Sequence, residues 1–388
     1  MDLELVSDVI YENNLNTLKF AQMLDDPSQC YKFYWMESVI NLARDNEDDF
    51  SFEKVIDEMI CEAWYSVTQY HLRLGPTIKG ITENFLEHAI NTIQDKTDLP
   101  QNATKDQIMR AIAECSQEIK DDKSKLTNYV PYRLLSSFLD AEGMSLLDRR
   151  AYRRLIAYME KINETQNLFY TVIDGRGLQK KVHISKQWRK LLKDNYLVIT
   201  SWIQLNKIRF LQDRNPGVPG IIYKLSMESE RKLLCARELW KMTTQITGKP
   251  LHDIYTGDDL EISRFDLDHF VPRSYIANDE LWNLTPIDKQ LNSSKNNHLP
   301  SWDAYFKGFS ENLYFLYGCI FSNDAMRQKF EDCRKDNLNA IWATETLFIS
   351  GNTKVQFKNI LSHNLLPVYE AAKLQGYGEW KRQKYERT

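Results

Sequence analysis

The amino-acid sequence predicts a mainly helical protein in which a small unit of two strands and one helix is embedded. Over most of the chain, apolar residues recur every three or four positions, a spacing typical of amphipathic helices. Between residues 262 and 300 this period gives way to short β-branched and aromatic runs separated by turn-forming residues, which indicate strands. At 388 residues, of which 43% are hydrophobic, the chain is long enough for two or three packed domains.

Changes in composition divide the chain into four predicted regions, at residues 1–125, 126–245, 246–300 and 301–388. In the first region, apolar residues at helical spacing predict helices over 35–43 and 55–67. Thr104 followed by Gln107 has the form of a capping box, in which each side chain bonds the backbone N–H of the other residue. A helix is therefore expected from Thr104 to about Lys120.

The second region is predicted to be mainly helical, with one candidate hairpin. Residues 169–173 and 182–184 have the composition of strands, and a Gly-containing turn separates them. The Pro- and Gly-rich residues 214–220 predict an irregular linker. Beyond the linker, Ser226 is placed to cap a long helix that continues through Gln245.

Helical periodicity returns after Pro300. The apolar residues within 302–309 predict the start of one helix, and residues 324–348, with Trp342 inside, predict another. A last helix is expected to be interrupted near Pro367, because proline lacks the N–H that a helix interior needs.

A distinctive spacing of polar residues marks the third region, where the pattern is DH-x13-N-x8-N-x2-K. Its members are Asp268, His269, Asn283, Asn292 and Lys295. The surrounding composition predicts a strand over 262–271, a loop over 272–280, a second strand over 281–285 and a helix over 286–297. Pro286 and Asp288 suit the first turn of that helix. The polar residues are thus expected to converge on a ββα unit.

This combination resembles the HNH, or ββα-metal, endonuclease family, and its spacing is similar to that in the HNH domain of the RNA-guided CRISPR nucleases. The resemblance is confined to the third region. It implies that Asn283 braces the loop that bears His269, and that Lys295 lies near the phosphate. It also implies that DNA is the substrate and that the products carry a 5′-phosphate and a 3′-hydroxyl.

The residue types support the same chemistry. Phosphodiester hydrolysis needs an activated water and a cation that disperses charge on the phosphate. His269 supplies a base that titrates near neutrality. Asp268 and Asn292 supply hard oxygen ligands suited to one Mg²⁺ or Mn²⁺ ion. We therefore expect His269 to be the base, with Asp268 and Asn292 on the metal. The catalytic roles of Asn283 and Lys295 are what the resemblance implies, and Lys295 could equally be an ordinary solvated helix residue.

Other polar residues near the motif have less certain places. Asp266 shares the predicted strand face of Asp268, which suggests support of the metal site, although a salt bridge to Arg264 is an equal alternative. Asn296 and His298 are further candidates on the helix face, with an ordinary structural role as the favoured alternative for each. No structural zinc is expected, because the six cysteines include no C-x-x-C pair.

The net charge of −4 is an argument against a nuclease, since proteins that bind nucleic acid usually present a basic face. Binding would have to use a local patch, for which the candidate residues are Lys186, Arg189 and Lys190. Trp188 in this patch, like Trp380 and Tyr385 in the basic tail, could stack on bases, although a tryptophan is more often a core residue. Each basic cluster could equally be an ordinary solvated face.

Scattered cysteines and the lack of an export signal or a long apolar span predict a cytoplasmic protein with no membrane segment. The expected function is a metal-dependent endonuclease that cuts DNA, in the setting of restriction or phage defence. The alternatives are a nuclease acting on RNA and a non-catalytic protein that binds nucleic acid and recruits partners. A regulatory or targeting protein, or a second copy of the chain, is the expected protein partner.

Overall fold

The computed structural model describes residues 3–5, 7–45, 49–76, 83–173, 175–225 and 233–381. The chain divides into two compact units, Met1–Pro216 and Gly217–Thr388. The division falls inside residues 214–220, where the sequence predicts a linker. Helices dominate the described residues and the sheets are small, which confirms the predicted fold class. The finer division into four regions stays a prediction.

The described part of the first unit is a helical array with one small sheet. Its helices are α1 (Asp8–Asn13), α2 (Thr17–Gln22), α3 (Tyr31–Asp45), α4 (Phe52–Thr68), α5 (Phe85–Lys96), α6 (Lys105–Glu114), α7 (Lys120–Leu126), α8 (Val130–Arg133), α9 (Ala141–Asp148), α10 (Tyr152–Gln166), α11 (Lys186–Asp194) and α12 (Tyr196–Arg214). Its strands are β1 (Phe50–Ser51), β2 (Thr171–Ile173) and β3 (Lys181–His183). They form one antiparallel sheet in the order β1-β3-β2.

Apolar periodicity predicted the helices of this unit well. The buried side chains of α3 and α4 include Trp35, Val39 and Met59, none of which is exposed to solvent. The capping box of Thr104 and Gln107 is present at the start of α6. The expected extension of that helix to Lys120 is wrong, because the backbone of residue 115 leaves the helical region and α7 begins separately.

The predicted hairpin is confirmed, since β2 and β3 pair with Val172 opposite Val182. Strand β1, only two residues long, is too short to leave a period in the sequence.

Trp188 belongs to the core of the first unit. It is fully buried, stacks on Phe20 with ring centroids 5.3 Å apart, and donates from Nε1 to the carbonyl of Asn167 at 2.9 Å. The expectation that Trp188 stacks on nucleic-acid bases is therefore wrong. A tryptophan at this position of the amphipathic helix α11 faces the core because the basic residues around it occupy the opposite face.

The described part of the second unit begins with α13 (Leu234–Thr247), and Ser226, the predicted cap of this helix, lies outside the described residues. The remaining elements are β4 (Leu251–His252), β5 (Asp259–Leu260), β6 (Phe265–His269), α14 (Arg273–Ile276), β7 (Leu284–Asp288), α15 (Lys289–Lys295), α16 (Trp302–Ser322), α17 (Asp324–Asn337) and α18 (Lys354–Leu374). Strands β4 and β5 form one antiparallel pair, and β6 and β7 form another.

The C-terminal helices depart from prediction in two places. The helix predicted over 324–348 is wrong as one element: α17 ends at Asn337, the backbone of Leu338 is not helical, and a separate π-helical turn covers Ala343–Leu347. The interruption predicted near Pro367 is also wrong, because α18 runs through this residue. The apolar face on both sides of the proline stays buried, and this packing offsets the lost backbone bond.

The β6–β7 hairpin is anchored in the core of the second unit. Phe265, Leu267 and Phe270 are all at most 2% exposed, and the ring of Phe270 stacks on Phe309 of α16 at 4.4 Å. Burial of each such side chain contributes roughly 1.5–3 kcal/mol. The C-terminal helices therefore supply the stability that so small a hairpin lacks on its own.

Trp380 packs into a second, smaller cluster. It is 7% exposed and lies edge-on to Tyr255, with ring centroids 5.3 Å apart. Its predicted role in stacking on bases is therefore wrong as well, and Tyr385 lies outside the described residues. None of the helices that the structure describes is both long and apolar enough to span a membrane.

Candidate active site

Strands β6 and β7 pair antiparallel, from Phe265 opposite Asp288 to His269 opposite Leu284. The second strand was predicted over 281–285 and actually begins three residues later, because Leu281–Asn283 form a 3-10 turn. Pro286, predicted to open a helix, lies instead in β7 opposite Leu267. A proline is tolerated there because each strand of a two-stranded sheet has an open edge that needs no N–H donor.

Helix α15 follows β7 at once and carries two residues of the motif, Asn292 and Lys295. It covers Lys289–Lys295, shorter than the predicted helix over 286–297. Asp288 caps it, accepting bonds from the backbone N–H groups of residues 290 and 291 at 2.9 and 3.2 Å. The predicted loop over 272–280 contains the short helix α14, which closes at Ala277 with a φ of 67°.

Asp268 is buried, at 4% exposure, and both of its carboxylate oxygens accept a bond. Oδ1 accepts from Nζ of Lys295 at 2.9 Å, and Oδ2 accepts from the hydroxyl of Tyr255 at 2.5 Å. Burial, and then the nearby Asp268 carboxylate, hold the pKa of Tyr255 well above its usual range, so the phenol keeps its proton and donates. These two donors fix the orientation of the carboxylate.

Lys295 has no exposed surface, which excludes the alternative of an ordinary solvated lysine. Its ammonium donates to Oδ1 of Asp268 and, at 2.8 Å, to the carbonyl of His269. A buried ammonium is stable only with such partners. Lys295 therefore ties helix α15 to the end of β6.

Asp266 links Asn292 to Arg237 of α13. Its Oδ2 accepts from Nδ2 of Asn292 at 2.7 Å, and its Oδ1 forms an ion pair with the Arg237 guanidinium. The guanidinium also donates to the carbonyl of Phe265 at 2.7 Å. The alternative salt bridge from Asp266 to Arg264 is wrong, since Asp266 pairs with Arg237 and the exposed Arg264 side chain pairs with Glu261. The amide nitrogen of Asn292 is thus engaged, and no donor among the described residues bonds its carbonyl oxygen, which can take another ligand.

His269 is 5% exposed, and its Nε2 lies 3.0 Å from Oδ1 of Asp279. The same carboxylate oxygen forms an ion pair with Nε of Arg273 at 2.9 Å. The backbone carbonyl of Asp279 accepts from Nδ2 of Asn337 at 2.8 Å. The imidazole is thus held by a loop that is itself bound to the end of α17.

Asn283 is fully buried and bonds both backbone groups of Val271. Its Oδ1 accepts from the Val271 N–H at 2.8 Å, and its Nδ2 donates to the Val271 carbonyl at 2.7 Å. Its own carbonyl accepts from the N–H of Phe270 at 2.8 Å. These bonds fix the segment directly after His269, which is the position that the resemblance implied for this residue.

The other predicted site residues lie apart from these contacts. Asn296 is exposed, at a φ of 45°, and within the described ranges its side chain forms no hydrogen bond to Asp268, His269 or Asn292. His298 contacts the carbonyl of Lys295 at 3.0 Å. On α11, in the first unit, Lys186 and Lys190 are exposed, while Arg189 donates to backbone carbonyls of that unit, among them that of Ile184.

Sequence reasoning missed the partners that orient the motif, namely Arg237, Tyr255, Arg273, Asp279 and Asn337. Tyr255 precedes the spaced motif, and the composition around it predicts a strand and a turn that could pack on the ββα unit but no bond to Asp268. Asp279 cannot be told from a turn-forming aspartate by composition. Arg237 and Asn337 lie outside the motif region, and no local pattern connects them to it.

The oxygen atoms of Asp268 and Asn292 suit a hard divalent cation. A carboxylate oxygen can accept two bonds, so each oxygen of Asp268 retains a lone pair beside the donor that it already holds. These carboxylate oxygens and the carbonyl oxygen of Asn292 are ligands of the kind that Mg²⁺ prefers, and water would complete its coordination. No group of three or more His, Cys, Asp or Glu side chains within the described ranges could hold a metal ion.

The antiparallel hairpin, the helix that follows it and the Asp-His pair at the strand end define a domain of the HNH, or ββα-metal, class. Residues 253–301 match the model of the HNH endonuclease family, which confirms the resemblance inferred from the motif. No solved structure matches the chain. Arg237 and Asn337 lie outside the matched segment, so part of what orients the site comes from the helices around it.

Proposed function

We propose that the protein is an endonuclease that hydrolyses phosphodiester bonds, with His269 as general base and Asp268 and Asn292 as ligands of one Mg²⁺ or Mn²⁺ ion. The observation that supports this most is the placement of a buried base directly beside a buried, doubly bonded carboxylate, inside the segment that matches the HNH family. A protein that only bound nucleic acid would have no use for this pair.

In the reaction His269 accepts a proton from the water that attacks phosphorus. Asn283 keeps the backbone after His269 in place, and Asp266 turns the amide of Asn292 so that its oxygen is available. When bound, the divalent ion supplies positive charge that stabilises the phosphate and the leaving oxygen. We assign Lys295 to the orientation of Asp268, in place of the phosphate contact that the resemblance implied, because its ammonium is fully buried.

DNA is the substrate that we propose first, on the strength of the motif spacing, and RNA is the second candidate. Contact with nucleic acid through Lys186, Arg189 and Lys190 stays a prediction; the exposure of the two lysines supports it, and the use of Arg189 within its own unit weakens it. A role in restriction or phage defence, a cytoplasmic location, and a regulatory partner or second copy also stay predictions.

The test is cleavage of plasmid DNA, single-stranded DNA and bulk RNA with Mg²⁺, with Mn²⁺ and with a chelator. We expect metal-dependent cutting by the wild type and a loss of about 10²- to 10⁴-fold in His269→Ala, the usual contribution of a general base. His252→Ala is the matched control, because His252 is an exposed histidine of the same unit. Cutting that persists in His269→Ala, or that resists the chelator, would overturn the proposal.

A further inference from the structure

The loop that carries Asp279 is fixed at two consecutive residues. The carbonyl of Asp279 accepts from Asn337, and the carboxylate of Glu280 accepts from the backbone N–H of Asn339 at 3.1 Å and from Nε1 of Trp282 at 2.9 Å. Asp279 and Glu280 are 6% and 2% exposed. The carboxylate that meets His269 is therefore set in a buried frame and is not a mobile surface acid.

The His269 ring is also confined. Its Nε2 faces the Asp279 carboxylate, whereas its Nδ1 forms no hydrogen bond with any other described residue. An ionised carboxylate can only accept hydrogen bonds, so Nε2 must carry a proton to bond it. In the neutral imidazole this leaves Nδ1 unprotonated and able to accept a proton.

We propose that Asp279 is a positioning residue that holds His269 as the Nε2–H tautomer and so makes Nδ1 the atom that takes the proton from the attacking water. This inference rests on the proposed nuclease function. The O–H bond of the water breaks, its proton goes to Nδ1, and the hydroxide forms a bond to phosphorus while the bond to the leaving oxygen breaks. The imidazolium then donates from Nε2 to Asp279, whose carboxylate stabilises the charge without taking the proton.

The guanidinium of Arg273 forms an ion pair with the buried carboxylate of Asp279. Its Nε lies 2.9 Å from the carboxylate oxygen that faces His269, and the two side chains are 13% and 5% exposed. A buried carboxylate needs partners that donate or carry positive charge, and Arg273 is one such partner of Asp279.

The chain offers a matched control in His252 and Asp259. Nδ1 of His252 lies 2.7 Å from Oδ1 of Asp259, and both side chains are more than half exposed. The pair joins β4 to β5 in the same unit. Asp259→Asn thus repeats the substitution on a histidine-aspartate contact that has no part in the proposed reaction.

The experiment compares Asp279→Asn, Asp279→Ala and Asp259→Asn with the wild type at saturating metal, with kcat and KM measured separately. We expect Asp279→Ala to lower kcat by roughly 10- to 100-fold, less than removal of the base itself, with KM unchanged. Asp279→Asn can also donate, and an amide N–H that bonds Nε2 favours the Nδ1–H tautomer, so its kcat should fall at least as far as that of Asp279→Ala. Asp259→Asn should keep the wild-type kcat. Thermal unfolding of each variant separates a local effect from a loss of folded protein.

A second readout does not depend on activity. In protein with ¹⁵N-labelled histidine, the His269 resonances, identified by their absence from His269→Ala, should report Nε2–H in the wild type and a mixture of tautomers in Asp279→Ala. A wild-type Nδ1–H tautomer, or an Asp279→Ala variant that is folded and cuts at the wild-type rate, would overturn the inference. If the wild type cuts no nucleic acid, the proposed function fails, while the tautomer measurement still decides the role of Asp279.

Discussion

The base side and the ligand side of the site differ in what holds them. On the base side, His269 is oriented by a loop that is bound to the end of α17. On the ligand side, Asp268 is oriented by Tyr255 and Lys295, and Asn292 is oriented through Asp266 by α13. The Lys295 ammonium, which donates to the carbonyl of His269 as well as to Asp268, joins the two sides.

The geometry of a strand explains why the supports differ. Successive side chains of a strand point to opposite faces, so the adjacent Asp268 and His269 at the end of β6 face different neighbours. One strand end can therefore supply both a base and a ligand only if each face has its own set of partners. Substitutions should then disturb one side while leaving the other largely intact.

The largest effect is expected from Asp268→Ala on the ligand side. It removes a proposed metal ligand and leaves the ammonium of Lys295, which has no exposed surface, without its carboxylate. We expect cleavage to be lost and the free energy of unfolding to fall by about 3–5 kcal/mol, as when one partner of a buried ion pair is removed. Denaturant unfolding measures this loss.

The double variant Asp268→Ala/Lys295→Met tests the cause of that loss. Removal of both charges should restore most of the stability without restoring cleavage. Asp259→Ala is the control, since its partner His252 is solvent-exposed. If Asp268→Ala unfolds at the same denaturant concentration as the wild type, the buried ion pair does not stabilise the site.

A smaller effect is expected from Tyr255→Phe, which removes only the hydroxyl that donates to Oδ2 of Asp268. The ring and its edge-on contacts with Tyr305 and Trp380 remain, so the fold should persist. Loss of a bond that orients a metal ligand typically costs about 10- to 100-fold in metal affinity or activity. Mn²⁺ binding by calorimetry should show it, and an unchanged affinity would mean that Tyr255 has no part in orienting the ligand.

The smallest effect on cleavage is expected at Lys224, which donates to the backbone carbonyls of Ser274 and Tyr275 in α14. Burial, with a further contribution from Arg273, lowers the pKa of Lys224 to about 7, against about 10.4 in an unfolded chain. Between these values the unfolded state binds more protons, so the stability of the wild type should rise with pH from about 7 to 10.

Lys224→Met should lose this rise, which amounts to at most about 1.4 kcal/mol per pH unit. Its kcat at a pH near 8 should stay close to that of the wild type, because Lys224 touches neither side of the site directly. Denaturant unfolding across this pH range makes the comparison. A wild-type stability that is flat or falls with pH would contradict the lowered pKa.

The motif and strand β6 could be predicted from the sequence, whereas the full geometry of the site could not. Local pattern was enough for the Asp-His pair at a strand end, because alternation of buried and polar residues is a property of the strand itself. Local pattern misplaced strand β7, because a proline such as Pro286 is typical of the first turn of a helix. In the structure Pro286 lies in β7, where the open edge of a two-stranded sheet tolerates a residue without an N–H donor.

The orienting residues were missed for another reason. Arg237 and Asn337 reach the site from helices 29 residues before Asp266 and 58 residues after Asp279, respectively. Such contacts follow from tertiary packing, which no local period encodes. For Trp188 the sequence left two alternatives, a base-stacking residue beside basic neighbours and a core residue, and the structure shows the second, with Trp188 fully buried.

The most direct test of separate base and ligand sides is the cleavage rate as a function of Mg²⁺ concentration for the wild type, His269→Ala and Asn292→Ala. We expect His269→Ala to lower the maximal rate without changing the half-saturating Mg²⁺ concentration, and Asn292→Ala to raise that concentration. A shift of the half-saturating concentration in His269→Ala, with none in Asn292→Ala, would contradict the assignment of the two sides.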